Sequence, residues 1–254
     1  MPSMKFNAKA LNAFLSSFGA ITEDLLVTLS AGGVMEAEVA FQTYYLRRKG
    51  LIPYEGKEDT GTFYISDLDK TRQFIKRCKS EFVTLKQTGS GKTLFVIAGR
   101  SKVQFPTSTS ITSASRASIV AKMFQAYVDS KQTTFANKDV STSGSLDLSD
   151  LMSIKAMSGI LDSSPVFEVT VNPSEKEFVI RAGKAHEARY FASTPVSDAV
   201  GDKVKANYGA WFIETLPLLN PSQAKFSVGE SAPLILMQSW DSGEATLIVV
   251  DQRA

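Results

Sequence analysis

The 254-residue sequence contains a single cysteine, Cys78, and a single histidine, His186. One cysteine cannot form an intramolecular disulfide, and it excludes a cysteine-rich zinc site. One histidine excludes a metal site with several histidine ligands. The sequence therefore offers no disulfide framework and no metal-ligand pattern, and we expect no cofactor.

Long apolar runs and a large net charge are also lacking. No stretch approaches the roughly 18 consecutive apolar residues of a membrane-spanning helix, and the first residues, Met1 to Lys9, lack the apolar core of a signal peptide. We therefore expect an intracellular protein without a membrane partner. The 28 Lys and Arg residues nearly balance the 26 Asp and Glu residues, so a role in binding nucleic acid must be judged from where the basic residues lie.

One pattern is present in four copies: a helical segment followed by alternating strand segments. The predicted helices cover residues 9–18, 68–78, 149–161 and 208–219. The predicted strands cover 25–41 as a pair, then 62–65, 82–86, 93–98, 102–105, 145–148, 166–171, 177–181, 187–193, 224–228, 234–240 and 246–251. Four helices among many antiparallel strands predict the α+β fold class.

The copies fall into two pairs, because the longest stretch without strand alternation separates the second copy from the third. This predicts an N-terminal domain over residues 1–106, a connector over 107–144 and a C-terminal domain over 145–254. Within the connector, residues 117–128 carry apolar side chains at helical spacing, which predicts a short helix. That helix either packs against a domain edge or forms a partner-binding surface.

Two kinds of motif invite a catalytic interpretation. The segment from Thr88 to Thr93, Thr-Gly-Ser-Gly-Lys-Thr, is similar to the end of a phosphate-binding loop, but that motif needs a glycine where Lys86 stands. Strand patterns flank the segment, so a hairpin turn is predicted. Two carboxylate pairs stand at predicted helix starts, where they favour capping: Asp67 with Asp69, and Asp147 with Asp150. We expect that the protein is not an enzyme.

The repeated pattern resembles the DNA sliding clamps, both the proliferating-cell-nuclear-antigen type and the clamps of T4-type phages. The resemblance covers nearly the whole chain. Three segments carry it most closely: Ile65-Ser-Asp-Leu-Asp with the helix after it, Ala98-Gly-Arg-Ser-Lys-Val-Gln-Phe-Pro106, and the final strands over residues 234–252. The resemblance implies a clamp fold with two similar domains, in which helices line a ring and sheets form its outside.

The resemblance also implies a function. A sliding clamp encircles double-stranded DNA without reading its sequence and tethers the replicative DNA polymerase for processive synthesis. Because six domains close such a ring, two domains per chain imply a homotrimer. A clamp-loader ATPase is the other implied partner, and the implied location is the cytoplasm, or the host cytoplasm or nucleoid if the protein is viral.

A clamp must present basic side chains on helix faces opposite the core, where they meet phosphates. The second predicted helix meets this demand best, with five basic residues in ten positions. We predict these DNA-binding residues: Lys70, Arg72, Lys76, Arg77 and Lys79 at the second helix, Lys5 and Lys9 at the first, Lys155 on the third, and Lys203 and Lys205 before the fourth. Another cluster, Arg47, Arg48 and Lys49, follows a strand pattern and could equally lie on the outer surface.

Clamps bind partner peptides beside the connector and the C-terminal segment, which here correspond to residues 118–134 and 251–254. The resemblance therefore points to these connector residues as partner-binding: Ile119, Val120, Met123, Phe124 and Tyr127. Two alternatives stay open. One is a monomeric clamp-fold processivity factor that binds DNA electrostatically without closing a ring, and the other is an enzyme that uses a nucleotide through the turn at residues 89–93.

Overall fold

The structure is a computed structural model that describes residues 2–56, 60–107, 112–157, 166–183 and 189–250. Its contacts divide the chain into two units. Unit 1 contains Met1–Val39, Arg47–Ala117 and Trp240–Glu244, and unit 2 contains Ala40–Leu46, Ser118–Ser239 and Ala245–Ala254. None of the described helices is both long enough and apolar enough to cross a membrane.

Unit 1 combines helices with antiparallel sheets. Its helices are α1 (Ala8–Ser16) and α2 (Leu68–Arg77). Its strands are β1 (Ser3–Asn7), β2 (Leu25–Ser30), β3 (Val34–Ala40), β4 (Tyr44–Leu51), β5 (Tyr54–Glu55), β6 (Gly61–Ile65), β7 (Phe82–Gln87), β8 (Thr93–Ala98) and β9 (Ser101–Pro106). One sheet has the order β5-β1-β7-β8-β9, and in the other β2 pairs with β3 on one side and with β6 on the other.

Side-chain caps start both helices of unit 1. The Asn7 side chain accepts a hydrogen bond from the backbone N–H of Ala10 at 3.0 Å, and Asp67 accepts one from Lys70 at 2.9 Å. Each cap satisfies a donor that would otherwise lack a partner in the first turn. Both predicted helices are confirmed, and so is the predicted capping role of Asp67.

Unit 2 contains most of α3 (Thr112–Asp129), followed by the hairpin of β10 (Thr134–Phe135) and β11 (Lys138–Asp139). Its other helices are α4 (Ile154–Met157) and α5 (Trp211–Thr215). Its other strands are β12 (Thr142–Asp147), β13 (Phe167–Asn172), β14 (Glu177–Ala182), β15 (Tyr190–Gly201), β16 (Val204–Tyr208), β17 (Gln223–Val228), β18 (Leu234–Trp240) and β19 (Gly243–Val249). The sheet order is β16-β13-β14-β15-β12-β17-β18-β19, and α3 confirms the helix predicted in the connector.

The helices of the third and fourth copies include 3₁₀ segments that the sequence did not predict. The third copy begins with a 3₁₀ helix, Leu148–Leu151, which Asp147 caps as predicted, and α4 follows. Residues 158–161 of the predicted helix lie outside the described residues. In the fourth copy, α5 gives way to a 3₁₀ helix, Leu216–Leu218. Pro217 explains this change, because a proline removes one backbone donor and clashes with the preceding helical turn.

Aromatic side chains fill the core of each unit. In unit 1 the ring of Phe6 meets Phe63 edge-on at 6.0 Å between centroids. In unit 2 the ring of Phe212 on α5 packs against Phe167 at 5.8 Å and Tyr208 at 5.6 Å. These buried rings hold β1 against β6 in unit 1, and they hold α5 against β13 and β16 in unit 2.

Candidate nucleic-acid interface and partner groove

Four of the ten residues predicted to bind DNA lie on the exposed face of α2 or just after it. The helix is held on unit 1 by its buried residues Leu68, Thr71 and Ile75. The exposed basic residues are Lys70, Lys76 and Arg77, with Lys79 just after the helix. Within the part of the chain that the structure describes, Lys76, Arg77 and Lys79 form no ion pair. Their charges are therefore available to an external anion.

Lys70 differs from these three because it has an acidic neighbour. Its Nζ lies 2.7 Å from Oδ2 of Asp67, the cap of the same helix. This hydrogen bond lowers the pKa of the Asp67 carboxyl and raises the pKa of Lys70. Part of the Lys70 charge is thus already compensated, and we expect it to contribute less to phosphate binding.

Arg72 is used in packing between the two helices of unit 1. Its guanidinium lies against Gly19, just beyond α1, where an added Cβ would stand only 2.2 Å from Nη1. Its Nε is buried and has no hydrogen-bond partner among the described residues. A larger residue at position 19 would displace the guanidinium, so Arg72 and Gly19 are fitted to each other.

The first helix contributes one exposed lysine. Lys9 lies near the start of α1, which packs against α2. Lys5 lies on β1 instead, where its Nζ is 2.7 Å from Glu55 and 4.4 Å from the ring centroid of Phe82. The structure therefore leaves Lys9 exposed on the helix that packs against α2, and it gives Lys5 protein partners on a sheet.

The predicted DNA-binding lysines of unit 2 are more scattered. Lys203 is exposed in the turn between β15 and β16, and Lys205 on β16 pairs with Glu168 on β13 at 2.6 Å. The backbone of Lys155 belongs to α4, and its side chain lies outside the described part of the structure. Unit 2 thus presents no cluster comparable to that on α2 within its described residues.

The second basic cluster of the sequence lies on β4 and is paired with acids of unit 1. Nε of Arg47 is 2.5 Å from Glu36, and Nζ of Lys49 lies 3.8 Å from Glu36 and 3.3 Å from Glu244. These side chains are about a quarter to a half exposed, a setting in which an ion pair stabilises a protein only modestly.

Arg48 stands between these two residues and is held by an aromatic ring. Its guanidinium lies over the ring of Trp240 at 5.0 Å. Burial lowers the pKa of Arg48 from its ordinary value. The cluster at residues 47–49 therefore contributes to the structure of unit 1 through specific contacts.

Unit 2 contains an apolar groove of about 260 Å³. Its walls come from the start of β4, from α3, from the β10–β11 hairpin and from the end of β19. Residues that line it include Phe41, Tyr44, Val120, Met123, Phe135 and Ile248. Lys138 is the charged side chain at its edge in the described part of unit 2. Burial raises the pKa of Tyr44 far above its ordinary value, so this phenol stays neutral.

Helix α3 is anchored in unit 2 by its aromatic residues. Phe124 and Tyr127 are buried, with ring centroids 6.0 Å apart, and Tyr127 also meets Phe135 at 6.0 Å. Burial raises the pKa of Tyr127, and the hydroxyl of Ser227 opposes this effect. These two predicted partner-binding residues therefore lie in the interior and position the helix.

The remaining three residues of the predicted partner site face outward or into the groove. Ile119 is 57% exposed and Met123 is 41% exposed, while Val120 and Met123 line the groove. The sequence pattern missed the walls formed by β4, β19 and the hairpin, because those residues are distant in the chain. The aromatic run Phe41-Gln-Thr-Tyr-Tyr45 beside a turn is the one local signal that pointed to them.

The turn at residues 88–92 joins β7 to β8, as predicted for a hairpin. The side chain of Gln87 donates hydrogen bonds to the carbonyls of Gly91 at 2.9 Å and Thr93 at 3.0 Å. A strand follows the turn, whereas a phosphate-binding loop opens a helix. Among the described residues, no group of three or more His, Cys, Asp and Glu side chains could hold a metal ion.

A scan against protein-family models found no match, and a search of curated proteins found no relative. Solved structures do match. PCNA from A. fulgidus, with the C-terminal region of FEN-1 bound, is 11% identical with a TM-score of 0.67, covering 99% of this chain and 98% of that chain. Proliferating cellular nuclear antigen from Entamoeba histolytica is 12% identical with a TM-score of 0.66 and 98% coverage of both chains. A chain of the PCNA2–PCNA3 complex from Sulfolobus tokodaii is 12% identical with a TM-score of 0.65 and 100% coverage of both. The chain therefore has the α+β fold of the PCNA-type DNA sliding clamps, as its repeated pattern predicted.

Proposed function

We propose that this protein is a sliding clamp, which encircles duplex DNA and tethers a replicative DNA polymerase without catalysis of its own. The observation that carries the proposal is the match to PCNA structures over at least 98% of both chains. A fold alone does not define a function. The proposal therefore also needs surfaces of the right chemistry, and α2 and the groove of unit 2 supply them.

The exposed face of α2 is suited to the backbone of DNA. Lys76, Arg77 and Lys79 are exposed and form no ion pair within the described residues, and Lys9 lies on the neighbouring helix α1. Lysine and arginine bind phosphates independently of base sequence. A small number of such contacts suits a protein that must move along DNA, because each added contact strengthens static binding.

Two open strand edges support self-association into a homotrimer. In the described structure β9 pairs only with β8, and the Tyr190–Pro195 half of β15 pairs only with β14. An open edge offers unpaired backbone donors and acceptors to another chain. Pairing of two different edges is a head-to-tail contact, which closes into a ring under the right rotation.

The groove of unit 2 is the proposed docking site for a short apolar segment of the polymerase or the clamp-loader ATPase. Among the matched structures, one PCNA binds the C-terminal region of FEN-1. We expect Met123→Glu to abolish polymerase stimulation, because it places a charge in an apolar groove. Lys122→Glu, on the exposed side of α3, is the matched control. Equal losses in both variants would argue against docking in the groove.

The ring is tested by topology. Labelled protein is loaded onto nicked circular DNA with ATP and the clamp loader of the organism from which the protein comes. The circular DNA is then cut once to make it linear. A topologically held ring should slide off the free ends, and bulky blocks on both ends should keep it bound. Retention that does not change on cutting would overturn the proposal. If the protein is also monomeric, that result would favour the monomeric processivity factor.

A further inference from the structure

The internal repeat relates the two open edges to a pair of strands inside the chain. Strand β9 is the counterpart of β19, since each follows the preceding strand after a two-residue turn, at residues 99–100 and 241–242. Strand β15 is the counterpart of β4 with β5. The C-terminal part of each of these two segments pairs with a strand that precedes a capped helix. In the first segment β5 pairs with β1, and in the second the end of β15 pairs with β12.

The contacts between β4 and β19 show which positions meet. In unit 1, Lys49 of β4 lies 3.3 Å from Glu244 of β19, and the backbone N–H of Leu51 donates to the carbonyl of Ser242 at 2.7 Å. Lys102 is the counterpart of Glu244, because both are the second residue after the turn. Lys102 therefore marks the place on β9 where a neighbouring strand brings a side chain.

The position on β15 follows from equivalent backbone hydrogen bonds. Ile52 donates to the carbonyl of Gly33 at 3.0 Å, and Val196 donates to that of Lys176 at 2.9 Å. Counting back five residues from each donor aligns Phe191 with Arg47. Arg47 and Lys49 are two residues apart and both contact Glu36, so they share a face of the sheet. If β9 of one copy pairs with β15 of another, Phe191 should therefore lie on the same face of the joint sheet as Lys102. The two residues would be diagonal neighbours on adjacent strands, a separation that an aromatic side chain can span.

Both edges carry a cation stacked on an aromatic ring at this face. Phe191 is 60% exposed, although the guanidinium of Arg181 lies over its ring at 5.7 Å. On β9, Nζ of Lys102 lies 4.0 Å from the ring centroid of Phe95. An exposed aromatic ring on an open strand edge is suited to become a buried anchor at an interface.

We propose that Phe191 of one copy packs between its own Arg181 and the Lys102–Phe95 pair of the next copy, and that this contact anchors head-to-tail association. Cations and aromatic rings would then alternate across the contact between the two copies and form cation–π interactions. These interactions are stronger there than on the free edges, because the contact excludes water. The inference rests on the proposed ring and names the residues that hold it together. The partner that covers the exposed ring of Phe191 is thus a second copy of this chain.

The test is the mass of the protein in solution as a function of concentration. Wild-type protein should sediment as a trimer of three times 27.6 kDa. Phe191→Asp should raise the dissociation constant about 30-fold or more, the size of a hot-spot loss. Val200→Asp is the matched control, because Val200 is 63% exposed on the same strand, in the half already paired with β12. Its dissociation constant should change less than about threefold.

Separate outcomes identify which idea fails. A wild-type protein that stays monomeric at all concentrations would overturn the ring and this contact together. A stable trimer that Phe191→Asp does not weaken would overturn the contact alone. Equal weakening by Phe191→Asp and Val200→Asp would also overturn it, since the effect would then lie in added charge. Thermal melts of both variants check that unit 2 stays folded, which the exposure of both positions leads us to expect.

Discussion

The two basic clusters of this chain look alike in sequence and differ in what their charges contact. On β4, residues 47–49 are paired with Glu36 and Glu244 or stacked on Trp240. On α2, Lys76 and Arg77 extend from an exposed helix face without an ion pair in the described structure. A cluster whose charges are used internally supports the fold, whereas a cluster left exposed can bind an outside anion.

Among the tests of these two clusters, the largest expected effect is on DNA binding by α2. Lys76→Glu combined with Arg77→Glu should weaken binding to duplex DNA by about tenfold or more. The slope of log affinity against log salt concentration should decrease by the amount expected for the loss of about two phosphate contacts. The oligomer and the melting temperature should stay unchanged, because both side chains are exposed. Binding is measured by fluorescence anisotropy at several salt concentrations. Lys92→Glu, in the exposed hairpin turn, is the control, and an equal loss there would show a general charge effect.

The next effect concerns stability and tests the cluster on β4. Arg48→Ala should lower the free energy of unfolding by about 1–2 kcal/mol, because it removes a partly buried side chain stacked on an indole ring. Affinity for DNA should stay within about twofold of wild type. Urea denaturation measures the first quantity. Arg48→Lys keeps the charge but cannot stack as a planar group, so its free energy of unfolding should lie between those of the wild type and Arg48→Ala. A variant that loses DNA binding but no stability would reverse the assignment of the two clusters.

The smallest effect concerns Asp67, which both caps α2 and pairs with Lys70. Asp67→Ala should cost about 1 kcal/mol through loss of the helix cap, and it should slightly strengthen DNA binding by releasing Lys70. Asp67→Asn retains a capping oxygen, so it should keep most of the stability and still release Lys70. Weaker DNA binding in both variants would contradict this role of the pair.

The pH dependence of Asp67 has a definite sign. The hydrogen bond from Lys70 lowers the pKa of the Asp67 carboxyl in the folded protein. Its stabilisation is therefore complete above the ordinary carboxyl pKa of about 4 and is lost as the pH falls through the lowered value. The stability difference between wild type and Asp67→Ala should shrink below about pH 4, which acid titrations of thermal melts can follow.

Local patterns predicted the elements better than the sites. Helices α1, α2 and α3 followed from apolar residues at helical spacing, which the chain shows without reference to distant residues. Strand β15 runs to Gly201, well beyond its predicted end at residue 193, because its second half pairs with β12. The shared groove walls and the partner of Lys5, fifty residues away at Glu55, depend in the same way on distant pairing.

The sequence by itself determined the fourfold helix-and-strand order, because periodicity and capping act over only a few residues. The resemblance of that order to the sliding clamps implied the α+β clamp fold. Only the tertiary structure decided which basic residues remain exposed. Electrostatic pairing depends on distances in space, so Arg47 and Lys49 pair with acids on other strands, while Lys76 and Arg77 have no acidic partner among the described residues. The open edges of β9 and β15 were decided in the same way, since a strand becomes an edge only when no neighbouring strand is placed beside it.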